Sequence, residues 1–365
     1  MTITREALPL WAEGMAPSLI KGPYCSESRA VISASLVLDK SDYADMLRTI
    51  ASFNILQGVY HLGSELEIEP SSFYQKLLTG QARFISVAWQ ARSPVLYLTP
   101  NSLESSSDER TGRHYGNLFS AFDAYRYYEE PASLLRQRLE RNGYVLSHLS
   151  GARCLDSGCG NGRYTVALSK LGAGEVWGLD FSEINITDAR KRAQEAGLQN
   201  VHYQLGNVLK VPFPDNHFDF VFSNGVLHHT SDPQQGLNEL LRVLKPGGIG
   251  FYYVIPNPGG IHWDSIELCR VLMRDVDHGF ARTTYQMLGV PSNMRFYFLD
   301  HVLVPINIRY TREQCDLMLR RAGASSIRRL ERGADIDRTE RISRRELYAD
   351  LKYGDGEQRY YFEKK

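Results

Sequence analysis

The segment LDSGCGNGRYTVALSKLGAGEVWGLDFS, residues Leu155–Ser182, decides the fold of this chain. An apolar strand runs into Asp156, a loop follows, and a helical stretch begins at Arg163; the loop contains three glycines, Gly158, Gly160 and Gly162. A second strand ends at Asp180. Glycine adopts positive φ and lets a ligand approach the main chain, and in a doubly wound sheet the turn after the first strand lies where ligands bind. The segment therefore predicts a nucleotide-type site in which Asp180 accepts the hydroxyls of a ribose.

The alternation of strands and helices continues towards the C-terminus. Strands are expected in the runs ARCLDSG, EVWGLDF, VHYQLGN, FDFVFSN and GIGFYYVI. Helices are expected between them, for example over residues 184–196 and 233–244. Strands rich in Val, Phe and Tyr that alternate with helices indicate βαβ units and a parallel sheet covered on both faces. We therefore predict an α/β fold built on a doubly wound, mostly parallel sheet.

The spacing of the glycines separates two classes of ligand. Dinucleotide oxidoreductases favour G-x-G-x-x-G, in which the third glycine allows close packing of helix on strand. Here the loop reads G-C-G-N-G, and Arg163 stands where a small residue is expected. An acid two residues before the first glycine is also foreign to the dinucleotide pattern. S-adenosylmethionine (SAM) is therefore favoured as the ligand, with a nicotinamide cofactor as the alternative.

From about His114 to Lys365, the chain resembles the class I SAM-dependent methyltransferases, and among them the branch that acts on small molecules. The resemblance rests on four blocks in the family's order and spacing: LDSGCGNG, GLDFS, GNVLKVPFPDNHFDFVFSNGVLHH and RVLKPGGIGFYYV. It implies a seven-stranded Rossmann-like sheet whose last strands lie at 326–330 and 359–365. It also implies SAM as the cofactor, S-adenosylhomocysteine (SAH) as the product and no metal.

The resemblance assigns cofactor contacts to particular residues. The glycine loop is expected to hold the methionine end of SAM, Asp180 the ribose and Phe181 the adenine. The adenine-contacting position of the third block is commonly an acid, and here it is Asn207, whose amide oxygen can still accept a hydrogen bond. A turn cap is the alternative role for Asn207. The full set of expected contacts is Asp156, Gly158, Gly160, Gly162, Asp180, Phe181, Asn207, Val208 and Asn224.

Methyl transfer requires alignment of the acceptor and, for a hydroxyl or ammonium acceptor, a base. His228 and His229 follow the fourth strand, and His262 lies in the region where the family builds its acceptor pocket. These three histidines are the candidate catalytic residues, although a histidine more often makes an ordinary hydrogen bond. We expect residues 256–309 to form a lid over the acceptor together with the aromatic segment 115–128.

The first hundred residues carry no motif that points to chemistry. Strands are expected at 30–39, 83–89 and 94–100, and helices at 41–53 and 70–80, with Ser41 as an N-cap. The polar run at 101–113 suggests a boundary. We expect an accessory α+β domain at 1–105, used for homodimerisation or for acceptor binding, and a methyltransferase domain at 106–365.

The amino-acid composition argues against some classes of binding partner. Lys plus Arg and Asp plus Glu both total 42, so a broad basic surface for nucleic acid or anionic membrane is not expected. Five scattered cysteines, no signal-peptide pattern and no long apolar run favour a cytoplasmic protein. The favoured function is methylation of a small-molecule acceptor, on oxygen or nitrogen rather than carbon. The alternatives are methylation of a peptide, protein or RNA, and a non-catalytic SAM-binding interaction protein.

Overall fold

The glycine-rich segment lies in a seven-stranded sheet, in a computed structural model that describes residues 22–91 and 123–365. The spatial order of the strands is β3-β2-β1-β4-β5-β7-β6, where the bounds are β1 (Arg153–Ser157), β2 (Glu175–Asp180), β3 (Val201–Leu205), β4 (Phe218–Asn224), β5 (Leu244–Val254), β6 (Ala324–Arg329) and β7 (Gln358–Lys364). Strands β1 to β5 pair in parallel, and β7 is antiparallel to β5 and β6. The predicted doubly wound, mostly parallel sheet is confirmed.

The helices of the described residues are α1 (Cys25–Leu36), α2 (Asp42–Ser64), α3 (Pro70–Ala91), α4 (Ala124–Tyr128), α5 (Glu130–Glu140), α6 (Arg163–Lys170), α7 (Glu183–Glu195), α8 (Pro233–Val243), α9 (Gly260–Leu272), α10 (His278–Met287), α11 (Ser292–Leu303), α12 (Arg312–Arg321), α13 (Arg338–Ser343) and α14 (Ala349–Tyr353). Helix α12 begins with a capping box formed by Thr311 and Gln314. None of the described helices is long and apolar enough to cross a membrane.

Both faces of the sheet are covered, which explains the nearly continuous apolar strands. Phe220, Phe222 and Phe251 point to one face, where they belong to a core with residues of α5, α6 and α7. Val221 and Tyr252 point to the other face, where α8 and α12 complete the core. A parallel sheet with two dry faces holds its strand ends in fixed positions. The carboxyl ends of β1, β2, β4 and β5 therefore form a rigid edge for the loops that follow them.

The described residues divide into two compact units. We call residues 123–257, Val304–Ala349 and Asp355–Lys365 the sheet unit. Residues 22–91, Pro258–Leu303 and Asp350–Gly354 form the helical unit. Most of the expected lid, residues 258–303, thus belongs to the same compact unit as the N-terminal segment. The boundary predicted from the sequence instead assigns these residues to the methyltransferase domain. The functional roles expected for 1–105 and for 256–309 stay predictions.

The expected α+β character of the N-terminal segment is wrong for the residues that the structure describes, because two predicted strands are helical. The run at 30–39 lies largely in α1, whose buried residues are Ser28, Val31, Ile32 and Ser35. The run at 83–89 lies in α3, which continues through Gly80. Burial every three or four residues is the helical period, and it outweighs the β preference of Val and Ile. The predicted strand at 94–100 lies outside the described residues.

The predicted helix at 70–80 is too short, because α3 continues past Gly80 to Ala91. Nothing around Gly80 prevents the helix from continuing. A Cβ built on Gly80 meets no atom within 4 Å, and the buried face continues from Leu78 to Ile85. Glycine within a helix costs only about 1 kcal/mol relative to alanine, which packing of this length of helix offsets. The predicted helix start at Ser41 is confirmed, since its Oγ accepts from the Ala44 N–H.

Candidate functional site

The loop after β1 is a chain of left-handed turns. Gly158, Gly160 and Gly162 have φ values of 81°, 54° and 90°. The N–H groups of Gly158 and Cys159 donate to the carbonyl of Leu179 at 2.7 and 2.9 Å. On its outer side the Tyr127 hydroxyl donates to the carbonyl of Asn161 at 2.5 Å. The loop is therefore tied both to the end of β2 and to helix α4.

Packing, as well as φ, excludes side chains at two of these glycines. A Cβ on Gly158 would lie 2.4 Å from Cγ1 of Val226, and a Cβ on Gly162 would lie 2.5 Å from the hydroxyl of Tyr203. Real Cβ atoms do not approach other atoms this closely. The loop thus presents bare main chain because its neighbours occupy the space that side chains need.

Asp180 joins the end of β2 to the loop. Its Oδ2 accepts from the Gly160 N–H at 2.9 Å. Its Oδ1 accepts from the Ser182 N–H at 2.9 Å and from Nδ2 of Asn185 at 3.2 Å. Burial raises the pKa of Asp180 above its ordinary value, although these three hydrogen bonds oppose the rise. The carboxylate is thus held at the carboxyl edge of the sheet, beside the loop, before any ligand arrives.

Asp156, in the strand that leads into the loop, contacts the helix that follows the loop. Its side chain is buried, and its Oδ2 accepts from the Thr165 hydroxyl at 2.8 Å. Burial raises the pKa of Asp156 to about 7; the hydrogen bond from Thr165 opposes the rise and the charge of Asp180 adds to it. Thr165 belongs to the first turn of α6. Asp156 therefore fixes the junction of loop and helix.

The remaining expected cofactor contacts follow strands β2, β3 and β4. Phe181 is 46% exposed directly after β2. The Asn207 Oδ1 accepts from the Leu209 N–H at 2.8 Å, which is the turn-cap alternative, and Val208 beside it is buried. The Oδ1 of Asn224, the last residue of β4, is buried and has no hydrogen-bond partner among the described residues. An orphaned acceptor is rare in native interiors and marks a place for water or ligand.

The three candidate catalytic histidines divide between the two units. His228 and His229 are buried in the sheet unit, in the short 3₁₀ turn Leu227–His229, with ring centroids 4.0 Å apart. Nδ1 of His229 lies 2.8 Å from the carbonyl of Ile306. A carbonyl can only accept, so this contact assigns the proton to Nδ1 and makes Nε2 the basic atom of the neutral ring. His262 is buried in the helical unit, in the first turn of α9.

The sequence reasoning missed two residues at the same edge of the sheet. Asn224 of β4 pairs in register with Tyr253 of β5, and Tyr253 pairs with Arg359 of β7. Register partners point to the same face of a sheet. The Arg359 guanidinium carbon lies 4.7 Å from the centroid of the Tyr253 ring, a cation–π contact. Only the antiparallel pairing of β7 brings Arg359 here, and no local pattern reveals that pairing.

Arginines of α5, of β7 and of the segment after β6 form an ionic network with buried acids, which we call the arginine–carboxylate cluster (Arg138, Arg332, Asp337, Glu340, Glu357 and Arg359). Nε of Arg138 and Nη1 of Arg359 lie 2.7 and 2.9 Å from Oδ2 of Asp337. Nη2 of Arg332 lies 2.7 Å from Oε1 of Glu340, and hydrogen bonding from Arg332 is the main cause that lowers the pKa of Glu340 to about 2. These arginines pair with acids of the same chain, which is typical of a structural role rather than of a phosphate site.

Metal chemistry has no support in the described ranges 22–91 and 123–365, where no group of three His, Cys, Asp or Glu side chains could hold an ion. The chemistry that the site offers is that of bare main-chain amides, an acid at the end of β2, an exposed aromatic ring and a buried histidine pair.

Comparison with known proteins identifies similar sequences. A family model described as a methyltransferase domain matches residues 155–252. The demethylmenaquinone methyltransferase of Geobacillus stearothermophilus is 33% identical over 152 residues, which are 40% of this chain and 63% of the relative. The 27-O-demethylrifamycin SV methyltransferase of Amycolatopsis mediterranei (strain S699) is 32% identical over 141 residues, 38% of this chain and 51% of the relative. The chain thus spans less than two thirds of the length of these curated relatives.

Proposed function

We propose that this chain transfers the methyl group of SAM to a small-molecule acceptor, because residues 155–252 match a family model described as a methyltransferase domain. The observation that carries the proposal is the contact between Asp180 and the Gly160 N–H at the edge of the sheet. It brings together the two groups that an adenosyl ligand with an amino-acid end requires, a carboxylate and bare main chain.

The residues present fit the cofactor. The loop presents main chain without side chains at its glycines, Phe181 offers an exposed ring, and the buried Asn224 Oδ1 lacks a partner in the described part of the chain. We assign the methionine end to the glycine loop with Asp156 beneath it, the ribose to Asp180, and the adenine to Phe181, Asn207 and Val208. Bound SAM supplies an electrophilic methyl on a sulfonium. Asn207 must exchange its turn hydrogen bond with Leu209 or share it.

The acceptor must be aligned and, if it is a hydroxyl or ammonium, deprotonated. We assign the base to His229, whose contact with Ile306 leaves Nε2 as the basic atom. His228, whose ring is tilted by 52° against that of His229, and His262 are the further candidates. This assignment favours methylation on oxygen or nitrogen. The protein does not need a metal for this reaction, since the leaving group is already activated.

A small-molecule acceptor is supported by the balance of 42 basic and 42 acidic residues and by the demethylmenaquinone and demethylrifamycin names of two relatives. Residues 1–105 are proposed to bind the acceptor or to form a homodimer, and 256–309 to act as the lid. We place the protein in the cytoplasm, where its cysteines stay reduced. Methylation of a macromolecule, and SAM binding without catalysis, are the competing functions.

Calorimetric titration with SAH tests the cofactor assignment. We expect Asp180→Ala to lower SAH affinity at least 100-fold, because it removes the ribose acceptor and releases the Gly160 N–H. Asp316→Ala, an exposed acid on α12, is the matched control and should leave affinity unchanged. Equal affinity of the wild type and the Asp180 variant would overturn the assignment. Binding of NADH but not SAH would favour the oxidoreductase alternative, and SAH binding without methyl transfer to any acceptor would favour the non-catalytic one.

A further inference from the structure

Helix α4 is a short segment that contacts the glycine loop and the helices beside it. It has only five residues, Ala124–Tyr128. An isolated helix shorter than about 12 residues is marginal in water, so α4 depends on its contacts with other elements. The Tyr127 hydroxyl donates to the carbonyl of Asn161 in the loop at 2.5 Å. The Tyr128 hydroxyl donates to the carbonyl of Arg192 in α7 at 3.0 Å.

A third contact gives a role to the arginine at position 163, where the dinucleotide pattern has a small residue. Arg163 is the first residue of α6, and its Nε donates to the carbonyl of Arg126 in α4 at 2.9 Å. Its Nη2 lies 3.0 Å from Oε2 of Glu130, the first residue of α5. This side chain therefore joins the helix that follows the loop to both α4 and α5, which a small residue would not do.

The Tyr127 hydroxyl can act only as a donor at this place. Its side chain is buried, and the guanidinium carbon of Arg192 lies 4.6 Å from the centroid of its ring. Burial raises the pKa of Tyr127 above its ordinary value, although the positive charge of Arg192 opposes the rise. The hydroxyl therefore stays protonated at neutral pH. Because a carbonyl only accepts, Tyr127 donates the hydrogen bond to Asn161.

Tyr127 contacts the second half of the loop, which lies beyond the residues tied to β2. The first half, residues 158–160, is tied to the end of β2 by the three main-chain N–H groups described above. The second half, residues 161–162, receives the hydrogen bond from Tyr127. Nδ2 of Asn161 adds a longer hydrogen bond to Oδ2 of Asp188 in α7, at 3.4 Å. The second half thus takes its position from α4 and α7, whereas the first half takes its position from β2.

We propose that α4 fixes the second half of the glycine loop for the cofactor, and that Tyr127 is the positioning residue through which it acts. The inference rests on the proposed function in one respect, the assignment of the methionine end of SAM to this loop. It differs from the lid role expected for residues 115–128, since a lid covers the acceptor whereas α4 holds the loop. Tyr127 acts through the main chain of Asn161. If α4 only covered the sheet, loss of this hydroxyl would lower stability and leave SAH affinity unchanged.

The two adjacent tyrosines provide the test, because their hydroxyls donate to carbonyls of different elements. Tyr127→Phe removes the hydrogen bond to the loop and keeps the ring against Arg192, so the chain should still fold. Calorimetric titration of the full chain should show SAH binding weakened about 5-fold, the usual effect of losing one neutral hydrogen bond. Tyr128→Phe is the matched control, and its SAH affinity should stay within about 2-fold of the wild type, well below the effect of one lost hydrogen bond at the site.

Urea unfolding of both variants measures the structural cost, which should be similar for the two. Wild-type SAH affinity in Tyr127→Phe would overturn the inference, and so would an equal loss of affinity in the two variants. Either result would mean that the hydroxyl stabilises the fold without positioning the loop.

Hydrogen exchange separates failure of this inference from failure of the proposed function. It is measured in SAH-free protein on a peptide that covers residues 158–163. Tyr127→Phe should raise the exchange rate of this peptide by about 3-fold, because a loop with fewer ties opens more often, and Tyr128→Phe should leave it unchanged. Absence of SAH binding in the wild type would remove the methyltransferase proposal and the cofactor role of α4 with it. Unchanged exchange in Tyr127→Phe would refute the positioning role even in a protein that binds SAH.

Discussion

The glycine loop and the arginine–carboxylate cluster both belong to the sheet unit, yet they hold their shape in opposite ways. The loop uses main chain: its positive φ values and its hydrogen bonds to Leu179 and Asp180 need no side chain of its own. The cluster uses charge: Asp337 lies between Arg138 and Arg359, and all three are nearly fully buried. The loop should therefore fail when atoms are added, and the cluster should fail when charges are removed.

The difference also separates ligand binding from stability. The loop and Asp180 lie at the carboxyl edge of the sheet, where we propose that the cofactor binds. In the cluster each acid is already engaged by arginines and by main-chain N–H groups, as when Glu340 accepts from the Gly333 N–H at 3.1 Å. Substitutions in the cluster should therefore change stability alone, whereas substitutions at the loop and the strand ends beside it should change stability, SAH affinity or both.

The largest effect is expected from Asp337→Ala. The substitution leaves Arg138 and Arg359 buried without their shared carboxylate, and breaking a buried ion pair from one side costs about 3–5 kcal/mol. Urea unfolding should show this loss in the free energy of unfolding. The control Asp316→Ala, whose partner Arg320 is 68% exposed, should change it by less than about 0.5 kcal/mol. A loss below about 1 kcal/mol for Asp337→Ala would show that the cluster does not depend on charge.

The next effect concerns Asp156 and depends on pH. Its folded pKa of about 7 lies above the unfolded value of about 3.9. The folded state therefore keeps a proton that the unfolded state releases, so the contribution of Asp156 to stability is complete below pH 4 and is lost as pH rises to 7. At about 1.4 kcal/mol per pKa unit, the loss is of the order of 2–4 kcal/mol.

Asp156→Asn isolates that contribution. The amide keeps an oxygen for the Thr165 hydroxyl and carries no charge at any pH. In SAH-free protein, the free energy of unfolding of the variant minus that of the wild type should rise between pH 4 and pH 7 and then level off. A difference that stays constant with pH would mean that Asp156 titrates normally in the folded protein.

A third effect separates contact from backbone strain in the loop. Gly158→Ala meets Val226 at 2.4 Å, whereas Gly247→Ala has a similar φ of 73° and nothing within 4 Å. Both variants carry the cost of a positive φ, about 1–2 kcal/mol. Gly158→Ala should lose about 1–3 kcal/mol more, the usual cost of overpacking. Equal losses in urea unfolding would show that Val226 moves aside without cost, and that φ alone selects glycine here.

The sequence predicted a glycine loop between the first strand and the following helix, but it did not predict the arginine–carboxylate cluster. The reason is physical. The glycines, Asp156 and Asp180 lie within one segment, so local spacing contains the whole arrangement. The cluster joins Arg138 of α5 to Asp337, which lies 199 residues later in the sequence, and Asp337 in turn contacts Arg359. Long-range pairing of charges leaves no periodicity to detect. The same limit applies to Tyr253, whose neighbour Arg359 is set by the antiparallel register of β7.

The helical unit shows a second limit. Short runs of Val, Ile and Ser fit both a strand and a buried helix, and periodicity alone does not separate them. In α1 the buried Val31, Ile32 and Ser35 have helical spacing, but the segment is too short for its sequence pattern alone to exclude a strand. The segment forms helix α1 because it packs against other helices of the helical unit. One of these is α9, which lies more than 200 residues later in the sequence.

The smallest effect on folding, and the sharpest contrast, is expected from Phe181→Ala. The ring is 46% exposed, so its removal should change the free energy of unfolding by less than about 0.5 kcal/mol. Its proposed role is to stack on the adenine, and loss of that contact should weaken SAH binding about 10-fold, which corresponds to about 1.4 kcal/mol. Leu347→Ala, at a position 54% exposed, should change neither quantity. If Phe181→Ala instead lowers stability and leaves SAH affinity intact, the edge of β2 is structural, and the division between a binding loop and a folding cluster does not hold.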